Sequence, residues 1–149
     1  MNHQEDYPSE YLEKILKEVK TIAMVGASPD PTKFSYGVLR VLHEQGYNMK
    51  PINPKDGVDE IRGLKVFNSL ADVDEAIDMV QVFRASEALP GIAQEAVDVG
   101  AKVLWSQIGV YSDEAAQIAE EAGLRVVMNR CPKIELFRPF WKPKLNQVI

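Results

Sequence analysis

The sequence predicts an α/β fold: a mainly parallel, doubly wound sheet with helices on both faces, in three layers. Three observations carry this expectation. Short apolar runs alternate along the chain with amphipathic stretches of helical length. The first apolar run ends in a small-residue, proline-punctuated loop that opens a helix. Glycines stand where three of the helices should stop, at Gly46, Gly100 and Gly123. Strands covered on both faces read as unbroken apolar runs, and right-handed crossovers then distribute the helices over the two faces.

Taken in order, Ser9 is placed to cap a helix whose apolar residues, Leu12, Ile15, Leu16 and Val19, fall at i, i+3, i+4 and i+7. A strand follows at 22–25, and a helix runs from about Ser35 to Gln45, closed by Gly46. Residues 47–52 read as a second strand. A shorter strand at 64–67 and a turn at Asn68 and Ser69 lead to 77–83, rich in strand-favouring residues. Leu89, Ile92, Ala93, Ala96 and Val97 repeat the helical stripe up to Gly100. A strand at 103–105, a helix marked by Ala115, Ile118, Ala119 and Ala122, and a strand at 124–128 complete the alternation. Beyond Cys131, Pro132, Pro139 and Pro143 are interleaved with Phe137, Phe140 and Trp141, which reads as a short helix and an irregular arm over 131–149.

The 149 residues suit one domain, 1–149, with an N-terminal helical segment over 1–20. A hydrophobic share of 46% and a charged share of 26% are ordinary for a globular protein. No apolar run approaches the roughly 20 residues that cross a bilayer, so no membrane partner is expected. The first eight residues are polar and acidic, unlike a signal peptide. A single cysteine, Cys131, rules out an internal disulfide and suits the cytoplasm. The net charge of −5 argues against a nucleic-acid partner.

In a doubly wound, Rossmann-like sheet the ligand crevice lies at the carboxyl ends of the strands. The residues that follow the strands can therefore be collected into one site. Gly26, Ala27, Ser28 and the loop through Lys33 to Ser35 follow the first strand, and Asn53, Pro54 and Lys55 follow the second. Arg84, Ser86 and Glu87 follow the strand at 77–83, Gln107 and Gly109 follow Trp105, and Arg130 follows the last strand. Basic residues recurring at these positions in a net-acidic chain point to a polyanionic ligand. Gly26 should let the backbone turn and approach a pyrophosphate, with helix N–H groups facing the charge. A dinucleotide site normally shows G-x-G-x-x-G and an acidic residue for the ribose diol. Here the loop reads Gly-Ala-Ser-Pro, and Asn53 and Lys55 stand where that acid should be. This suits a phosphorylated ribose, hence coenzyme A or NADP over NAD.

The motifs Val25-Gly26-Ala27-Ser28, Pro31-x-Lys33-x-Ser35-Tyr36 and Pro51-x-Asn53-Pro54 resemble those of the small single-domain CoA-binding proteins. So do Val82-Phe83-Arg84-x-Ser86-Glu87, Trp105-x-Gln107-x-Gly109-Val110 and Val126-Val127-Met128-x-Arg130-Cys131-Pro132. That family is related to the CoA-binding N-terminal domain of the succinyl-CoA synthetase α subunit. The resemblance runs from Thr21 to about Arg138; Ala85 departs from it, where the family often has a second arginine. It implies that Gly26, Ala27, Ser28, Lys33, Ser35 and Tyr36 hold the pyrophosphate. It further implies that Asn53, Pro54 and Lys55 flank the adenosine and its 3′-phosphate. Val82, Phe83 and Arg84 would line the adenine and ribose side, and Gln107 to Gly109 would border the pantetheine arm.

Candidates for chemistry are few. His3 falls in a terminus expected to be loose, and His43 reads as a satisfied or solvent-facing helix residue. No His, Cys, Asp and Glu pattern has metal-ligand spacing. The catalytic histidine of the synthetase α subunit belongs to a second domain that this sequence does not match. Cys131, beside Arg130, reads as a buried small residue, with an activated thiol as the sharper alternative. Trp105, Phe137, Phe140 and Trp141 read as core or tail packing, with an aromatic partner surface as the alternative. The expected function is binding of CoA or an acyl-CoA, as a sensor or carrier without catalytic residues. An NADP- or acyl-CoA-dependent enzyme using Cys131 or Glu87 and a ligand-free interaction module are the alternatives. A homodimer or a larger partner protein is left open.

Overall fold

A computed structural model describes residues 1–137. Pro139, Phe140, Trp141 and Pro143, read above as an arm, lie outside the described residues. The elements follow the order α1 (Ser9–Glu18), β1 (Thr21–Val25), α2 (Phe34–Glu44), β2 (Asn48–Ile52), β3 (Glu60–Ile61), β4 (Leu64–Lys65), β5 (Met79–Val82), α3 (Leu89–Asp98), β6 (Val103–Ser106), α4 (Asp113–Glu121), β7 (Arg125–Val127) and α5 (Pro132–Phe137). Five strands form one parallel sheet in the order β2-β1-β5-β6-β7. The fold is the expected Rossmann-like three-layer α/β architecture.

Strand alternation divides the core in two. Ile22, Met24, Met49, Met79, Val103, Trp105 and Val127 face α1 and α2, meeting Leu12, Ile15, Leu16, Val38, Leu39 and Leu42. Ala23, Val25, Val80, Val82, Leu104 and Val126 face α3 and α4, meeting Leu89, Ile92, Ala93, Ala96, Ala115 and Ala119. The small residues of α3 and α4 let those helices pack closely on the sheet and on each other. Every residue of the central strands β5 and β6 is buried, and all but Gln81 and Ser106 are apolar, which is why they read as strands covered on both faces.

The structure departs from the sequence reading in four places. Ser9 does not cap α1: Pro8 occupies the cap position, no side chain bonds the end, and the Pro8 carbonyl accepts the N–H of Tyr11 instead. The strand expected at 64–67 is split. Leu64–Lys65 pairs antiparallel with Glu60–Ile61 across a tight turn in which Arg62 (φ 53°) and Gly63 (φ 80°) are both left-handed. Phe67 then bridges Ile52 in parallel, its N–H donating to the Pro51 carbonyl at 2.9 Å. The turn at Asn68 and Ser69 leads into a 3-10 turn, Leu70–Asp72.

The fourth departure is the N-terminal segment, where His3 is buried rather than loose, at 5% exposure. Tyr7 donates its hydroxyl to His3 Nδ1 at 2.6 Å, and His3 Nε2 donates to Glu120 of α4 at 2.8 Å. The Met128 N–H in turn donates to the Tyr7 hydroxyl at 2.8 Å, so residues 3–7 strap the end of β7 to α4. His43 is solvent-exposed, as expected.

Candidate functional site

Numbered among the five sheet strands in chain order, the order is 2-1-3-4-5, and its direction reverses between β1 and β5. Connections leave these two strands toward opposite faces, so a crevice opens between their carboxyl ends. Gly26 after β1 and Phe83-Arg84 after β5 form its two lips.

Gly26 is required there by the turn itself and by its neighbour across the crevice. Its φ is +91°, and a Cβ on it would lie 2.3 Å from the Phe83 carbonyl oxygen and 2.9 Å from the carbonyl carbon. The glycine lets two strand ends close on each other; the approach it permits is backbone to backbone. The N–H groups of Gly26 and Ala27 are also committed, both donating to the Ile52 carbonyl at 3.2 and 3.3 Å.

Asn53 fixes the same loop from below. Its Nδ2 donates to the Ala27 carbonyl at 2.8 Å, and its Oδ1 accepts the Lys55 N–H at 2.8 Å. Both ends of the amide therefore work inside the protein, which makes Asn53 a positioning residue for the loop. Further along, Ser28 Oγ accepts the Asp30 N–H at 3.1 Å, and Asp30 accepts both the N–H and the hydroxyl of Thr32 at 2.9 and 2.7 Å. The Thr32 bonds hold the Asp30 carboxyl below its usual pKa, so the loop carries a fixed negative charge beside Lys33. Helix α2 then starts at Phe34. Among the described residues, the N–H groups of Ser28, Phe34 and Ser35 have no hydrogen-bond partner.

The cations are distributed unevenly. Lys17, Lys50 and Arg125, away from the crevice, pair with Glu13, Glu75 and Glu18 at 2.6, 2.9 and 2.9 Å. Lys33, Lys55 and Arg84 are exposed and have no ion-pair partner among the described residues. Arg84 and Pro54 border a cavity of about 320 Å³ on the α3 side, floored by Val25, Ile52, Leu70 and Ile92. On the α2 side of the same crevice lie the rings of Phe34 and Phe83, 6.4 Å apart. The tight turn between β3 and β4 sets the Arg62 guanidinium 5.6 Å from the Tyr36 ring centroid, adding a cation at the start of α2. The sequence reading missed Arg62; the Arg-Gly turn dipeptide between two short runs was its only trace.

Other expected site residues turn out to build the fold. Val82 is wholly buried in the core toward α3, and its carbonyl accepts the Gln107 N–H at 3.1 Å, so its side chain lines no ligand surface. Gly109 has φ +86° and donates its N–H to Asn129 Oδ1 at 2.7 Å. Ser86 Oγ accepts the Tyr111 N–H at 3.0 Å, and Ser106 Oγ donates to the Val110 carbonyl at 2.7 Å. The loop after β6 is thereby tied to the ends of β5 and β7. Arg130 differs from the other cations: it donates to Asp6 at 3.3 Å and to the Asn129 carbonyl at 2.9 Å, and stacks over Tyr7 at 5.3 Å. Beside it a second cavity, about 390 Å³, is bordered by Ile108, Asn129, Cys131 and Ile134. Cys131 itself is 1% exposed, and Trp105 is fully buried with its Nε1–H donated to the Arg130 carbonyl at 2.9 Å.

Among the described residues, no three His, Cys, Asp or Glu side chains are grouped to hold a metal, and no helix is long and apolar enough to cross a membrane. Unpartnered N–H groups, Lys33 and Arg84 follow the two strands of the β1–β5 reversal, and Lys55 follows the adjacent β2; groups of this kind donate to anions.

The sequence model of a family described as CoA binding domain matches residues 20–136. The uncharacterised protein YneT of Bacillus subtilis is 41% identical over 123 residues, 83% of this chain and 90% of that protein. Acetate–CoA ligase (ADP-forming) I subunit alpha of Pyrococcus furiosus is 30% identical over 109 residues, 68% of this chain. The matched region is only 24% of that subunit. A hypothetical protein from Pyrococcus horikoshii shares the fold with a TM-score of 0.86 and 36% identity, over 93% of this chain and 96% of that one.

Proposed function

This chain belongs to the CoA binding domain family, and we propose that it binds coenzyme A, free or acylated, in the crevice between β1 and β5. The observation that carries the proposal is the set of three exposed, unpaired cations, Lys33, Lys55 and Arg84, at the strand ends bordering that crevice, while among the described residues seven of the other eleven lysines and arginines have an ion-pair partner. In this reading Ser28, Lys33 and the free N–H groups of Phe34 and Ser35 take the pyrophosphate. Gly26, Ala27 and Asn53 hold that loop in shape, and Tyr36 with Arg62 closes its outer side. Lys55 and Arg84, beside Pro54 and the 320 Å³ cavity, take the 3′-phosphate and ribose. Phe83 covers the opposite side, and the loop from Gln107 to Gly109 borders the pantetheine arm.

The role is binding or sensing, without a reaction carried by this chain's own side chains. The histidines lie outside the crevice, one buried against Glu120 and one on the exposed face of α2. Cys131 is buried, and Glu87 is exposed with no base or nucleophile bonded to it. Because the ligase subunit to which the chain is similar extends far beyond the matched region, a larger partner protein belongs to the same proposal, to be tested separately.

Calorimetric titration with CoA, dephospho-CoA and NAD tests the assignment. CoA should bind at least tenfold more tightly than dephospho-CoA, since a hydrogen bond to a charged group contributes about 1.5–3 kcal/mol. NAD should bind poorly. Equal affinities for CoA and dephospho-CoA would remove the 3′-phosphate role from Lys55 and Arg84.

A further inference from the structure

Two buried amides at the crevice are left half satisfied. Gln81 sits in β5, in register with Met24 of β1 and Trp105 of β6, and is wholly buried. Gln107 follows β6 and is 5% exposed. Gln81 Nε2 donates to Gln107 Oε1 at 3.2 Å. Gln81 Oε1 and Gln107 Nε2 have no partner. Turning both amides over only exchanges the labels, because one donor and one acceptor of the pair stay unmatched in either orientation. Buried polar groups are nearly always bonded, and a methionine or leucine at either position would fill the space without this cost.

Their place in the sheet gives the orphans a use. Alternation puts Gln81 with Met79, and Gln107 with Trp105, on the α2 face. Continued two residues past Met24, Gln81 and Trp105, the parallel register brings Gly26, Phe83 and Gln107 to one level on that face, with Gly26 and Phe83 the lips of the crevice. Gln107 thus stands at the level of the lips, and Gln81 one same-face step beneath them. The pair's residual capacity is one acceptor beside one donor. A phosphate, which only accepts, satisfies half of that. A group carrying both an N–H and a C=O satisfies all of it.

We propose that Gln81 and Gln107 together bind a secondary amide of the pantetheine arm, which makes Gln81 a specificity-determining residue of this site. The inference rests on the CoA reading above. Gln107 stands at the mouth, next to the exposed Ile108 and Gly109, so rotation of that one side chain opens the floor while Gln81 stays fixed in its strand. The edge of the adenine ring also offers a donor beside an acceptor. The unpaired Lys55 and the Arg84-lined cavity draw the nucleotide to the β2 side and the α3 face, and leave the amide pair to the arm.

Gln81→Met and Gln107→Met keep the volume and remove the polar atoms. Each is titrated by calorimetry with CoA and with adenosine 3′,5′-bisphosphate, which lacks the arm, and each is melted without ligand. Expected is a loss of CoA affinity of tenfold or more in either variant, bisphosphate affinity within twofold of wild type, and a ligand-free melting temperature unchanged or raised. CoA affinity within twofold of wild type in both variants overturns the inference. So does an equal loss for both ligands, which would assign the pair to the nucleotide end. A wild-type protein that binds neither ligand instead removes the CoA reading itself, so the two failures are distinguishable.

Discussion

Asn53 was legible in the sequence as the residue standing where a dinucleotide site keeps its acid, but its action is on the loop backbone. Asn53→Asp keeps an acceptor for the Lys55 N–H and sets a carboxylate against the Ala27 carbonyl in place of a donor. It should lower stability by about 1–3 kcal/mol in urea titration, and weaken CoA binding without any lost ligand contact. Gly26 was equally legible as a glycine that the turn requires, but its closeness to the Phe83 carbonyl was not. The 2.3 Å clash with Phe83 makes the substitution a matter of folding, so Gly26→Ala should unfold more readily, by more than the roughly 1–3 kcal/mol that a strained φ costs alone. Cys131 was readable as a buried residue, and its 1% exposure predicts slow alkylation by iodoacetamide in the native protein, with or without CoA. Rapid labelling that CoA blocks would restore the enzyme alternative. Gln81 and Arg62 were not legible. A glutamine inside an apolar strand acquires meaning only from its register against Trp105 and Met24, and an arginine in a left-handed turn only from the helix onto which the turn folds.

At the level of elements, the helices were readable because their stripes obey a 3.6-residue period, and the central strands because both faces are covered. What failed were features decided by tertiary contact. The β3–β4 hairpin is too short to show a period, and the burial of His3 and Tyr7 depends on α4 and the end of β7, more than a hundred positions away. That N-terminal strap leaves a signature in alkali. Burial pushes the Tyr7 hydroxyl up to about 12, while in the unfolded chain it ionises near its ordinary value of 10.0. Between those values the unfolded state has released a proton that the folded state keeps, so stability falls as pH rises. The contribution is complete below pH 10 and lost by about 12, on the order of 2 kcal/mol. Denaturant titrations at intervals from pH 9 to 12 should show the decline. Tyr7→Phe should be less stable at neutral pH, having lost the Met128 and His3 bonds, and its decline should be shallower. Tyr11 and Tyr47, raised by burial as well, leave a residual slope. A decline of undiminished depth in Tyr7→Phe would place the titrating group elsewhere.

Over the whole molecule, charge and topology make opposite statements about an anionic ligand. A net charge of −5 repels a polyanion at a distance, and screening confines that effect to roughly 8–10 Å at ordinary salt. Only cations left unpaired at one place can reverse the sign locally, and the strand order puts Lys33 and Arg84 at the one reversal of the sheet, with Lys55 after the adjacent strand β2. Lys20 supplies the matching control. It is exposed, it precedes β1 at the amino-terminal edge of the sheet, and its removal changes the net charge by the same amount as removal of Lys55. If binding responds to the position of a charge, Lys20→Ala should leave CoA affinity within about twofold of wild type. Lys55→Ala should lower it tenfold or more, about 1.4 kcal/mol or above. The loss in Lys55→Ala should also depend on the ligand: dephospho-CoA, which has no 3′-phosphate to lose, should bind that variant nearly as well as it binds wild type. The preference for CoA over dephospho-CoA then collapses toward one in Lys55→Ala alone, and that non-additivity between a side chain and a ligand group reports a direct contact. Equal losses in Lys20→Ala and Lys55→Ala would mean that the chain senses only total charge. The crevice between β1 and β5 would then have no claim to the ligand.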